Sequence, residues 1–98
     1  MTEFSLSSTV ISEAGERLYT FEYAASVAAT STIMIERCVE LGLIEPTGSM
    51  LHSQDIARLA QILRLRQDLG LNLIGAAMVI DMAQEIAQLR AQLKALQS

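Results

Sequence analysis

Residues 24–44 constrain the fold of this chain more than any other stretch. They read AASVAATSTIMIERCVELGLI: a short apolar segment, a turn that contains Ser and Thr, and a second helical segment that stops at Gly42. Thr20 and either Thr30 or Ser31 supply the side-chain oxygens that cap helix N-termini. Glycine commonly follows the last residue of a helix. The stretch therefore predicts a helix-turn-helix.

Apolar side chains at helical spacing predict the inner faces of both helices. In the first helix, from Phe21 to about Val27, they are Phe21, Ala24, Ala25 and Ala28. In the second helix they are Ile33 or Met34, followed by Cys38 and Leu41, with Ile35 and Val39 beside them.

The second helix of such a unit usually enters the DNA major groove, led by basic or amide side chains. Here it carries Glu36, Arg37 and Glu40. Because its net charge is negative, a phosphate backbone would be repelled by it. Glu36 and Glu40 lie one turn apart and repel each other mildly. This face is either simply solvated or meets a basic partner.

The charge of the whole chain supports the same two interpretations. The net charge is −4, with seven acids and two bases in residues 1–54 and four acids and five bases in residues 55–98. An acidic surface favours a basic partner through complementary potentials. The alternative is that the acids serve solubility alone.

Outside the helix-turn-helix the pattern is mainly helical. Residues 1–18 favour one short strand or an added hairpin, because Phe4, Leu6, Val10 and Ile11 lie among Ser and Thr and residues 13–16 read as a turn; a frayed terminus is equally open. Residues 45–52 are expected to be a short loop, with His52 as a loop or interface residue. A third helix is expected from Gln54 or Asp55 to about Leu69, capped by Ser53, and a fourth, capped by Asn72, to the C-terminus.

The fourth helix carries a heptad seam. Its apolar residues at 3-4-3-4-3 spacing are Val79, Met82, Ile86, Leu89, Leu93 and Leu96. This spacing is typical of the a and d positions of a coiled coil, and in a monomer it would leave an exposed apolar patch. We expect a homodimer through this helix, with residues 1–74 as the helix-turn-helix domain and residues 75–98 as the dimerisation helix. The alternative is that the helix folds back on its own domain.

Chemical motifs are missing from the sequence. It has no Gly-rich phosphate loop, no nucleophile elbow and no Cys or His set with metal spacing, so we expect neither an enzyme nor a bound metal or cofactor. Cys38 is the only cysteine, which favours a reducing cytoplasm. No signal peptide is recognisable, and the longest apolar run, residues 69–80, is shorter than the ~20 residues that span a bilayer, so no membrane association is expected.

The chain resembles MerR-type regulators. The shared positions are Tyr19, Thr20, Ala25, Ser31, Ile35, Gly42 and Leu43, continued by Asp55, Leu59, Gly70, Leu71 and Leu73. The resemblance implies a winged helix-turn-helix, all-α apart from at most a minor N-terminal strand or hairpin. The basic and aromatic residues expected after Ile35 are replaced by Glu36, Arg37 and Cys38, and the wing region has no Lys or Arg from Glu45 to Gln54, so DNA binding is doubtful.

A closer resemblance is to the CbpM family of chaperone modulators. It is carried by Leu41-Gly42-Leu43-Ile44-Glu45-Pro46, Arg64-Leu65-Arg66, Leu69, Leu71, Gly75, Ile86-Ala87 and Leu89. The resemblance implies a dimer that binds the J-domain of CbpA, a DnaJ-like co-chaperone, and inhibits it. We hypothesise that Glu36 and Glu40, with Glu22 and Glu45, form the surface that contacts the J-domain. The alternatives are a MerR-type DNA-binding regulator that uses Arg37 or Arg58, Arg64 and Arg66, and a plain dimerisation module.

Overall fold

Helices carry most of the chain, and one small sheet joins its N-terminal part to the segment after the helix-turn-helix. The structure, a computed structural model, describes residues 9–11 and 15–97. Its elements are strands β1 (Thr9–Ile11), β2 (Arg17–Thr20) and β3 (Met50–His52) and helices α1 (Phe21–Val27), α2 (Thr32–Glu40), α3 (Ser53–Leu69) and α4 (Leu73–Gln97). The predicted fold class, all-α with a minor N-terminal strand or hairpin, is confirmed.

The sheet is antiparallel with strand order β1-β2-β3. The pairing of β1 with β2 confirms the hairpin that the sequence left open, and Gly15 before β2 has φ +85°. Residues 13 and 14 of the predicted turn, and the apolar residues Phe4 and Leu6, lie outside the described residues. The central strand β2 pairs on its other side with β3, with Leu18 opposite His52.

The prediction of a loop over residues 45–52 is wrong for its last three residues, because Met50–His52 is a strand. Leu51 is fully buried while its two neighbours are half-buried, which is the alternation that a paired strand requires. Three residues are too few for this alternation to be read from sequence, and the pairing strand lies thirty or more residues away.

Local hydrogen bonds fix the helix-turn-helix. The Tyr23 backbone N–H donates to Thr20 Oγ1 at 3.0 Å, and the Met34 N–H donates to Ser31 Oγ at 3.2 Å. Thr20 and Ser31 are thus the two N-caps, and Thr30 is not. The turn between the helices holds Ala29 at φ +56°, a left-handed conformation that is uncommon for a residue with a Cβ.

Helix α2 ends in a Schellman motif. The Leu43 N–H donates to Cys38 O at 2.9 Å, and the Gly42 N–H donates to Val39 O at 3.0 Å. Gly42 has φ +74°, where glycine carries no Cβ penalty, and this confirms the predicted end of the helix.

The chain divides into two compact units within α3, one up to Gln61 and the other from Ile62. In the first unit the buried apolar residues are Leu18, Ala24, Ala25, Ile35, Cys38, Ile44, Leu51, Ile56 and Leu59. Ile33, one of the two candidates for the inner face of α2, is 76% exposed, whereas Met34 is half-buried. The inner face of α2 is therefore built on Ile35 and Cys38.

The second unit contains the end of α3 and all of α4. Ile62, Ala76 and Ala77 are buried in it. The Gly75 N–H donates to Asn72 Oδ1 at 2.7 Å, which confirms Asn72 as the cap of α4. In the part of the chain that the structure describes, no single helix is long and apolar enough to cross a membrane; only α3 and α4 taken together, as a bent pair, reach that length and composition.

We predict that Ala29→Gly raises the free energy of unfolding by about 1 kcal/mol, because the relief of left-handed strain in the turn outweighs the disorder that glycine adds to the unfolded chain. The matched control is Ala28→Gly at φ −86°, where no strain is relieved. At Ala28, glycine only adds disorder to the unfolded chain. We therefore expect Ala28→Gly to lower the free energy of unfolding by about 0.5–1 kcal/mol. Urea unfolding of the three proteins measures both effects. An Ala29→Gly protein less stable than the original would contradict this account of the turn.

Candidate partner-binding surfaces

Helix α2 presents an acidic outer face. Its inner residues Ile35 and Cys38 have no exposed surface. The helix period then places Glu36, Arg37 and Glu40 on the outside, where all three are exposed. Glu36 and Glu40 are brought together one turn apart, with a single base between them.

The other two predicted contact residues lie on different elements. Glu22 is in the first turn of α1, and Glu45 is in the segment that follows α2; both are exposed. Within residues 9–11 and 15–97, none of Glu22, Glu36, Glu40 and Glu45 takes part in an ion pair, and no hydrogen bond joins Glu22 or Glu45 to the α2 pair. The four carboxylates are therefore available to a partner, but only Glu36 and Glu40 are shown to share one face.

The segment that corresponds to a wing is a tight turn. Thr47 and Met50 exchange two backbone hydrogen bonds, of 2.8 and 3.1 Å, around Gly48 and Ser49. Because residues 45–54 contain no Lys or Arg, this turn offers no cationic side chain to a phosphate.

His52 joins the sheet to the start of α3. Its Nε2 lies 3.2 Å from Glu16 Oε1 and its Nδ1 lies 3.5 Å from Asp55 Oδ2. The His52 backbone N–H also donates to Asp55 Oδ2 at 3.0 Å, so Asp55 caps the helix by reaching back one turn. This differs from the predicted loop position of His52 and the predicted cap at Ser53, which is the first residue of α3 instead.

Arg58, one of the bases that a DNA-binding interpretation would use, is engaged within the fold. Its Nε donates to the Leu43 carbonyl oxygen at 2.7 Å, just beyond the end of α2. A carbonyl at a helix C-terminus is a favourable acceptor for a cation. Arg58 therefore helps to hold α2 in place.

A family model described as MerR HTH family regulatory protein matches residues 22–98, well over half of the chain. The chain belongs to this family. No solved structure matches it. The MerR resemblance predicted from the sequence is therefore confirmed, and the acidic helix α2 is the second helix of a MerR-type helix-turn-helix.

This MerR-type domain also has an apolar groove that the sequence reasoning missed. The groove has a volume of about 300 Å³ and lies between the end of β2, the helix α1 and the first turns of α3. Its lining residues are Tyr19, Tyr23, Val27, Ser53, Ile56, Ala57 and Ala60. The rings of Tyr19 and Tyr23 are stacked, with centroids 4.9 Å apart and planes at 17°. Tyr19 and Tyr23 are four residues apart in the sequence, which was the only signal for the stacked pair. Because Tyr19 lies in β2 and Tyr23 in α1, this spacing does not define a shared helix face.

The predicted dimer seam of the MerR-type chain lies on α4 and is uncovered. Val79, Met82, Ile86, Leu89, Leu93 and Leu96 are between 40% and 84% exposed. Every residue from 81 to 97 is exposed, so no part of the described chain covers this length of the seam.

In the described ranges, no group of three or more His, Cys, Asp or Glu residues could hold a metal ion.

We predict that Ser31→Ala lowers the free energy of unfolding by about 1 kcal/mol, because the Met34 N–H loses its acceptor at the start of α2. The control is Ser26→Ala, an exposed position inside α1 where Ala is the better helix former, and we expect no loss there. Urea denaturation followed by circular dichroism measures both. Equal losses in the two variants would show that the Ser31 cap does not position α2.

Proposed function

We propose that this protein is a cytoplasmic, non-enzymatic modulator that needs no cofactor. In this proposal it binds the J-domain of a CbpA- or DnaJ-like co-chaperone and inhibits its activity by competing with the DnaK-type chaperone. The observation that carries the proposal is the outer face of α2. There the exposed, unpaired carboxylates of Glu36 and Glu40 occupy the helix with which a DNA-binding relative would contact phosphates. The resemblance to the CbpM family supplies the partner class.

Charge explains how such a face would work. A J-domain engages its DnaK-type chaperone through a basic helix, and an acidic surface that covers this helix blocks the same contacts. Long-range attraction between opposite charges speeds the encounter, whereas affinity depends on closer apolar contacts. Glu22 and Glu45 are exposed and free to add to the field on neighbouring elements.

The second candidate is a DNA-binding regulator, and family membership is the observation that favours it. Against it stand the sign of the α2 face, the wing turn without bases, and the engagement of Arg58 with Leu43. Arg37 is the one base on α2. Since DNA affinity rises with the number of phosphates that bases neutralise, a single arginine supports little binding.

We further propose that the protein is a homodimer through α4. Six exposed apolar residues in heptad register are a large apolar surface for a chain of 98 residues. Pairing with a second copy would remove them from water by knobs-into-holes packing.

The charge-reversed variant Glu36→Lys/Glu40→Lys tests the J-domain proposal. We expect at least ten-fold weaker binding to a J-domain, mainly through a slower association rate and with less dependence on salt. The helix itself should remain stable, because two lysines at this spacing repel no more than two glutamates. Surface plasmon resonance against an immobilised J-domain measures the rates.

The matched control is Asp68→Lys/Glu85→Lys, which changes the net charge equally at exposed positions of α3 and α4. It should bind like the unaltered protein. Equal binding by the α2 variant would remove Glu36 and Glu40 from the interface. Failure of the unaltered protein to bind any J-domain, with tight and salt-sensitive binding to duplex DNA, would favour the second candidate.

The dimer has its own test. We expect light scattering to give twice the chain mass of 10.7 kDa for the unaltered protein and the single-chain mass for Leu89→Asp, because a buried carboxylate in the seam is too costly to keep. Gln88→Asp, a neighbouring exposed position off the seam, should leave the dimer intact. An unchanged mass for Leu89→Asp would exclude the seam as the interface.

A further inference from the structure

We propose that the apolar groove between α1 and α3 is an anchor pocket for one apolar side chain of a basic amphipathic partner helix. The proposal rests on the proposed function and extends it, since it assigns the apolar contact that the acidic α2 face cannot supply. The groove is defined by Tyr19, Tyr23 and Val27 on one side and Ile56, Ala57 and Ala60 on the other.

The groove is built like a receptor for a side chain. Ile56 forms its floor and is 7% exposed, while Tyr23 and Val27 on the α1 wall are 38% and 56% exposed. On the α3 wall, Ala57 and Ala60 are exposed and leave the space open because their side chains are single methyl groups. Stacked tyrosines give the pocket a rigid aromatic end, and Tyr is among the residues that contribute most to binding at interfaces.

Size and openness favour a side chain over a free small molecule. Pockets that enclose small ligands have volumes of about 300–1,000 Å³ and bury most of the ligand surface. This groove, at about 300 Å³, is at the lower limit, and its walls stay half open to water. A single Leu- or Phe-sized group fits such a site when a larger interface around it excludes the solvent.

Charge around the groove favours a cationic partner. Glu22, next to Tyr23 on α1, is exposed and free of ion pairs in the described chain. At the other end, Ser53 is shared with a polar recess of about 270 Å³ that Glu16 and Arg17 also line. Glu16 contacts His52 and shares this recess with Arg17, so the attraction of a cationic partner rests on Glu22. Arg58, the one base of α3 between Ser53 and Gln61, donates to the Leu43 carbonyl oxygen instead.

The arrangement therefore selects an amphipathic helix with an apolar residue for the groove and a Lys or Arg about one turn away for Glu22. Residues three or four apart on a helix project from the same side, so one partner helix can present both groups.

The test fills the groove from its own wall. Ala60→Trp places a large side chain in the groove, and Gln61→Trp places the same side chain on the adjacent exposed position of the same helix. Tyr23→Ser removes the aromatic ring at the end of the groove, whereas Tyr23→Phe keeps it. The readout is the Kd of a fluorescently labelled isolated J-domain for each full-length protein, with circular dichroism as the folding control and sedimentation as the measure of mass.

We expect Ala60→Trp and Tyr23→Ser to weaken binding at least ten-fold, and Gln61→Trp and Tyr23→Phe to bind as the unaltered protein does. Equal binding by a folded Ala60→Trp protein would overturn the groove while leaving the J-domain proposal standing. A change of sedimenting mass in Ala60→Trp would overturn it in favour of a second copy as the occupant. Absence of J-domain binding by the unaltered protein would end both proposals together.

Discussion

The burial of Ile35 and Cys38 is the constraint on which the functional surface of this protein depends. Both residues have no exposed surface, and Ala24 and Ala25 on α1 are buried as well. Small residues on one helix let the next approach closely, so the rotation of α2 about its axis is fixed by its inner face. Once that rotation is fixed, Glu36 and Glu40 must face outward. The acidic face is thus a consequence of core packing combined with two glutamates at outer positions.

The MerR scaffold and its surface charge are separable in physical terms. Caps, turn and core specify the helix-turn-helix without using any outer residue of α2. The outer residues decide whether polyanions or cationic proteins are attracted. A change of sign at a few exposed positions can therefore redirect a fold of this kind toward another class of partner at almost no cost in stability.

The sequence was sufficient for features that depend on local hydrogen bonds. Thr20, Ser31, Gly42 and Asn72 all occupy the predicted helix ends, because caps involve residues within one turn of each other. The sequence was insufficient to predict features whose contacting residues are distant from each other along the chain.

Three differences show this limit. The strand β3 depends on pairing with β2 across thirty or more residues. The groove needs α1 and α3 side by side, and no periodicity within either helix reports that juxtaposition. The exposure of Ile33 depends on which side of α2 the core selects, and the apolar pattern alone allowed either Ile33 or Met34. The acidic residues of the candidate surface were found from sequence because charge needs no partner to be recognised, whereas the tyrosines of the groove were missed.

The buried thiol of Cys38 has a consequence for the dynamics of this domain. It is the only sulfhydryl in the chain, and it lies on the inner face of α2 with no exposed surface. A thiol reagent can reach it only when α2 separates from the core, so the alkylation rate under native conditions reports how often this opening occurs. Cys38 is therefore a chemical reporter of local unfolding on the same helix that carries the acidic face.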